Sequence, residues 1–198
     1  MTTSRVRTLV CLLALGFSLL VGCSTREAES PPATSSAQVD LPSPVAARTD
    51  DPSAPKHIVV NGDSAVTDPV ATDTTGALLP PQDVHRLGWW VDSALPGSSK
   101  GTIVVTGHVD DAAQGQGFAA RFGSLAPGSD VAVTTVGGDT IHYRVRNVQS
   151  SDKEKAFPAD ELNRLDGPET LALVTCGGPF VGPPLGYADN IIAWATRA

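Results

Sequence analysis

The sequence predicts a mainly β domain over residues 56–198, built as a closed barrel or a sandwich with short helices. Three observations predict it. The apolar stretches of this region are short and rich in Val, Ile and Thr, the residues that suit a pleated, half-buried surface. Turn-forming pairs separate them at close intervals: Asn61-Gly62, Pro80-Pro81, Pro96-Gly97, Pro127-Gly128, Gly137-Gly138 and Gly167-Pro168. No segment shows the sustained 3.6-residue repeat of a long amphipathic helix. Many short strands with regular turns are the pattern of closed or double-sheet β architectures.

The elements follow in order. HIVV at 57–60 ends at Asn61-Gly62, and 64–70 returns from it. Residues 89–91 form a third strand, in which one of Trp89 and Trp90 fills the core and the other covers it. TIVVTG at 102–107 reads as a buried strand. DVAVTTV at 130–136 and TIHYRVRNV at 140–148 alternate on either side of Gly137-Gly138, a hairpin signal. LALVT at 171–175 and NIIAWA at 190–195 complete eight strands. Short helices are expected at 83–88, at 117–123, where Phe118 and Phe122 stand four apart, and at 159–165.

The 198 residues carry a net charge of −7, with a pI near 4.9. Nucleic acid is excluded as a partner, because phosphate binding needs a basic face. The chain has no phosphate-binding glycine loop, no dinucleotide fingerprint, no EF-hand loop and no His/Cys ligand cluster, so neither metal nor cofactor is expected. Asp50-Asp51 and Asp110-Asp111 read as solvated surface.

The first residues read as an export signal. Arg5 and Arg7 precede the apolar run 9–21, which is shorter than the ~20 residues of a spanning helix. Leu20-Val21-Gly22-Cys23 resembles a bacterial lipobox. It implies removal of 1–22 and lipidation of Cys23, with an uncleaved anchor or an ordinary signal cut as alternatives. The loss of Arg5 and Arg7 takes the charge from −7 to −9. Residues 23–55 hold six prolines and few large apolar side chains, the composition of a loose tether. The expected organisation is therefore 1–22 signal, 23–55 lipidated linker and 56–198 folded domain. Its place is outside the cytoplasm, lipid-anchored to the outer face of the membrane.

Export bears on the thiols. Cys11 falls in the removed segment and Cys23 is lipidated, which leaves Cys176 without a disulfide partner. Cys176 ends a buried strand and opens into Gly177-Gly178. A cysteine there is either a small core residue or a nucleophile, and the oxidising compartment tips the reading to a nucleophile. His108 has the same setting: a buried strand, Gly107, then the reactive side chain. An imidazole can activate a thiol and serve as acid and base in acyl transfer. His57, His85 and His142 lack that setting, and His142 alternates with Arg144 and Arg146 on a solvent face.

Several stretches now carry a family resemblance: GHVD at 107–110, TLALVTCGG at 170–178, YADNIIAWA at 187–195, LGWWVDSALPGSSKGTIVVTGHVD at 87–110, FAARFGSLAPGSDVAV at 118–133 and Lys155-Ala156-Phe157-Pro158. Together they resemble the class F sortases of Gram-positive bacteria over about 57–196. The resemblance implies an eight-stranded sortase-type β-barrel and a cysteine transpeptidase that cleaves an LPxTG-type sorting signal of secreted proteins between Thr and Gly. By motif, Cys176 forms the thioester, and His108 protonates the leaving amine and later deprotonates the acceptor. That acceptor is a cell-wall precursor amine, or water by default. The family also carries an arginine on the strand after the Cys loop, and none stands between Cys176 and Arg197 here. Substitutes are Asn190, backbone N–H groups such as that of Gly177, or an arginine from another strand such as Arg144 or Arg146. The alternative is a weak or inactive relative that binds peptide or cell wall.

Overall fold

The computed structural model describes residues 41–155 and 157–198. Cys23 and the export segment lie outside the described residues. The strands are β1 (Val45–Ala46), β2 (Pro55–Val60), β3 (Asp63–Ala71), β4 (Leu87–Trp90), β5 (Thr102–Thr106), β6 (Asp110–Asp111), β7 (Gly115–Gln116), β8 (Asp130–Thr135), β9 (Thr140–Asp152), β10 (Thr170–Gly182) and β11 (Gly186–Arg197). A 3-10 helix covers Phe118–Ser124, and one helical turn, α1, covers Ala159–Leu162.

Eight strands close into a barrel in the order β3-β2-β8-β9-β11-β10-β5-β4, with β4 returning to β3. Closure leaves these strands no long free edge. The β3–β4 and β5–β10 contacts are parallel. β1 pairs with Val70 and Ala71 at the end of β3, so part of the Pro-rich segment before residue 56 is laid against the barrel. Ala54, 1% exposed, enters the core from the same segment.

Alternation along the strands sets two apolar clusters on opposite faces. Leu171 and Leu173 of β10 join Ile58, Val105, Phe122 and Val131 in the main core. Ala172 and Val174 face the other way, toward Val104, Ile192, Trp194 and Leu162 of α1. Trp89 fills the main core, whereas Trp90 packs on the second cluster.

The expected helix at 83–88 does not form. The Asp83 carboxylate accepts the His85 N–H at 2.9 Å, and the Asp83 carbonyl accepts the Arg86 N–H at 3.0 Å. This local capture bends the chain into a turn and delivers Leu87 to β4. The segment Gly178–Gly186 is also more regular than its prolines suggest. β10 and β11 continue through it, with Phe180 opposite Tyr187 and Gly182 opposite Gly186, and with register shifts on either side of Phe180. The Phe180 ring meets Tyr187 edge-on at 5.3 Å, which ties the two strands beyond the barrel wall.

A buried carboxylate anchors the end of the barrel where β10 begins. Glu169 accepts from Tyr143 Oη at 2.5 Å, from Gly97 N at 2.9 Å and from Ser99 N at 2.6 Å. Burial first, and then the Glu169 bond, push the Tyr143 hydroxyl far above the usual phenol range, so it stays a donor.

Candidate active site

Carried two residues further, the register of one parallel ladder brings His108 level with Cys176. β5 and β10 pair from Thr102↔Thr170 to Thr106↔Val174, a constant offset of 68 residues. His108 and Cys176 have the same offset. The ladder runs on past its last named pair: Gly107 N donates to the Val174 carbonyl at 3.1 Å, and Thr175 Oγ1 donates to the Gly107 carbonyl at 2.8 Å. The two side chains therefore leave adjacent strands at one end of the barrel. Gly107 lets the chain pack closely on the core here, since a Cβ there would fall 2.6 Å from Leu87 Cδ2 and 2.7 Å from Ala119 Cβ.

A second tie joins the two loops. Tyr187 Oη donates to Asp110 Oδ2 at 2.5 Å, linking β11 to the segment that follows His108. That bond is the main reason the Tyr187 hydroxyl sits above its ordinary value, and the charge of nearby Cys176 adds to it. Asp110 is exposed, as the sequence reading expects, and it also ties Tyr187 to the segment after His108.

Burial lowers the His108 imidazole below its ordinary value, against the opposing charges of Asp111 and Asp110. Burial therefore favours the neutral form of His108. Among the described residues its buried Nε2 has no hydrogen-bond partner, Cys176 included. An orphaned imidazole nitrogen is costly in a finished core and useful where a proton must be received.

Cys176 is a free, half-buried thiol. Asn190 lies directly opposite it across β10–β11, and Ser151 lies opposite Asn190 across β11–β9. Cross-strand partners point to one face, so Cys176 and Asn190 share the face of the second apolar cluster. Gly177 falls on the opposite face. A Cβ there would meet Ile191 Cγ1 at 2.4 Å, so its lack of a side chain serves packing. Sequence reasoning missed Lys153, whose Nζ donates to Cys176 Sγ at 3.4 Å and to the Leu185 carbonyl at 3.4 Å. No local motif marks it, because it reaches the thiol across an intervening strand.

The sequence matches the Sortase domain family over residues 58–198. The chain belongs to the sortase family. Sortases are in general cysteine transpeptidases that act on sorting-signal peptides and cell-wall amines. Among solved structures, the chain is similar to sortase C-1 from Actinomyces oris, at 21% identity, 72% of each chain covered and a TM-score of 0.55. It is similar to sortase C1 of Streptococcus agalactiae in complex with MTSET, at 15% identity, 72% of this chain and 67% of that one covered, and a TM-score of 0.55. It is also similar to sortase A from Corynebacterium diphtheriae, at 21% identity, 75% of this chain and 62% of that one covered, and a TM-score of 0.53. At these identities the likeness is one of fold. No curated protein matches the chain.

In this sortase the substitute arginines named from sequence lie elsewhere. Arg144 stands opposite Thr196, six residues along β11 from Asn190, or ~20 Å at strand spacing. It pairs with Asp130 at 3.0 Å. Arg146 sits at the β9 irregularity between the Trp194 and Ala195 rows, ~15 Å from the Asn190 row by the same spacing. Arg197 pairs with Glu169 at 3.8 Å, at the far end of the barrel. Arg86, just before β4, is engaged through Nε and Nη2 by the Asp68 carboxylate. Among the described residues no His/Cys/Asp/Glu group has the composition of a metal site. A concavity lined by Val59, Asn61, Asp130, His142 and Arg144 borders neither His108, Cys176 nor Asn190.

Proposed function

We propose that this sortase is an exported transpeptidase of the class F type, anchored through a lipid on Cys23. It cleaves an LPxTG-type sorting signal between Thr and Gly and passes the acyl group to a cell-wall precursor amine. The observation that carries the reading is the shared offset of 68 residues between the β5–β10 ladder and the His108–Cys176 pair. Cys176 Sγ attacks the Thr carbonyl carbon, the thiol proton passes to neutral His108, and the carbonyl pair moves onto oxygen. Collapse restores the C=O bond and breaks the C–N bond, and His108 gives its proton to the departing Gly amine. The acceptor amine reverses the sequence. Half-exposed Val174 and Trp90 on the same face offer apolar contact to the bound peptide.

Incubation with an LPxTG peptide is expected to add the acyl fragment to Cys176, read by mass spectrometry of the intact chain. A second reading, a peptide-binding relative, is favoured by the fact that among the described residues no guanidinium bonds to the thiol. Saturable binding with no adduct would establish it. For the anchor, Cys23→Ala is expected to move the protein from the membrane fraction to the medium. Continued membrane retention of that variant sinks the lipid assignment.

A further inference from the structure

We infer that Lys153 supplies the positive charge that acyl transfer at Cys176 requires, in place of the arginine missing after the Cys loop. The inference rests on the transpeptidase reading above. Lys153 follows β9 directly, and its backbone N–H donates to the Ala188 carbonyl at 3.0 Å, one step beyond the Asp152↔Asp189 row. It lies two residues past Ser151, so pleating returns its side chain to the face that Ser151, Asn190 and Cys176 share. The ammonium stands 3.4 Å from Cys176 Sγ and is steadied by the Leu185 carbonyl at the hairpin turn. Among the described residues no carboxylate forms an ion pair with it. Its neighbour Lys155 takes Asp152 at 2.8 Å instead.

The chemistry places negative charge first on sulfur and then on the oxygen of the tetrahedral intermediate, one carbon away from it. A cation touching Sγ faces both, and it transfers no proton of its own, since His108 carries the one that moves. Lys is a compact point charge with rotatable donors and lacks the planar fork of Arg. It therefore acts by its charge, and an arginine at the same place should serve as well.

The test compares the full-length parent with Lys153→Met and Lys153→Arg, after checking that all three melt alike. Alkylation of Cys176 by anionic iodoacetate and by neutral iodoacetamide reads the local charge without peptide. The iodoacetate-to-iodoacetamide rate ratio is expected to fall about fivefold in Lys153→Met, the effect of one nearby charge in water, and to be kept in Lys153→Arg. Single-turnover acylation by an LPxTG peptide is expected to fall about a hundredfold in Lys153→Met and to recover in Lys153→Arg. An unchanged ratio and acylation rate in Lys153→Met overturns the inference. So does a loss that Lys153→Arg does not repair, which would make the Leu185 contact the important one. If the parent itself is never acylated while the ratio still responds to Lys153→Met, the transpeptidase reading fails and takes the catalytic role with it.

Discussion

Cys176→Ala is expected to lower cleavage of a sorting-signal peptide to the uncatalysed level while leaving peptide binding intact. The reaction proposed here runs through a bond to sulfur, and no neighbouring group can take its place. Lys153 is a charge, the Nε2 of half-buried His108 makes no hydrogen bond among the described residues, and Asn190 is not nucleophilic. In another acyl-transfer enzyme, loss of the nucleophile alone costs on the order of 10⁶ in kcat. Folding should be nearly untouched. The thiol is only half-buried, and losing one such atom costs about 1 kcal/mol or less. A fluorogenic peptide assay beside calorimetric titration separates the two effects. Turnover in the alanine variant above background would remove Cys176 from the mechanism.

How much of this was legible in the sequence differs from element to element. Most of the barrel strands are readable because they contain a short β-branched run beside a local turn, and such signals do not depend on distant residues; β4, Leu-Gly-Trp-Trp, is the exception. The likeness of His108 and Cys176 is partly readable for the same reason: each follows a buried apolar run and stands next to a glycine, although β10 itself runs on to Gly182. Which strands lie side by side is a property of the whole barrel, so the 68-residue offset gains meaning only once β5 and β10 are seen to be parallel. The misreadings share one cause. At 83–88 a side chain captured backbone donors that helix periodicity had assigned elsewhere. At Gly178–Gly186 the two strands run on past Gly177, and Pro183 and Pro184 lie in the turn that joins them. Asp110 is exposed as read, but its bond to Tyr187 could not be foreseen because the partner is 77 residues away. Lys153 was invisible because the two residues that fix its face, Ser151 and Asn190, are ordinary polar strand residues. Arg144 and Arg146 were attractive for their charge alone, and the register of β9 against β11 carries them to the other end of the barrel.

His108→Gln is expected to lower kcat/KM for peptide cleavage by ~10²–10⁴, the usual share of a positioned acid–base group. Alkylation of Cys176 by iodoacetamide should fall much less, because no amine leaves in that reaction and no proton donor is needed. The pH profile gives an independent check. Burial holds the imidazole below about 6.5, its ordinary value, so the acid limb of kcat/KM should have its midpoint below that pH. There the imidazolium can no longer accept the thiol proton. Asp111 opposes the effect of burial, and its carboxylate is fixed by Ala113 N and Gln114 N at 2.9 Å each. Asp111→Asn keeps an oxygen for those bonds and removes the charge, so the midpoint should move further toward acid. Stability follows the same sign. A histidine with a lowered folded value binds its proton more readily in the unfolded chain, so stability is lost as pH falls below about 6.5, and His108→Gln should flatten that slope. An acid limb centred above 6.5, or one that Asp111→Asn moves toward alkali, would show that another group accepts the proton.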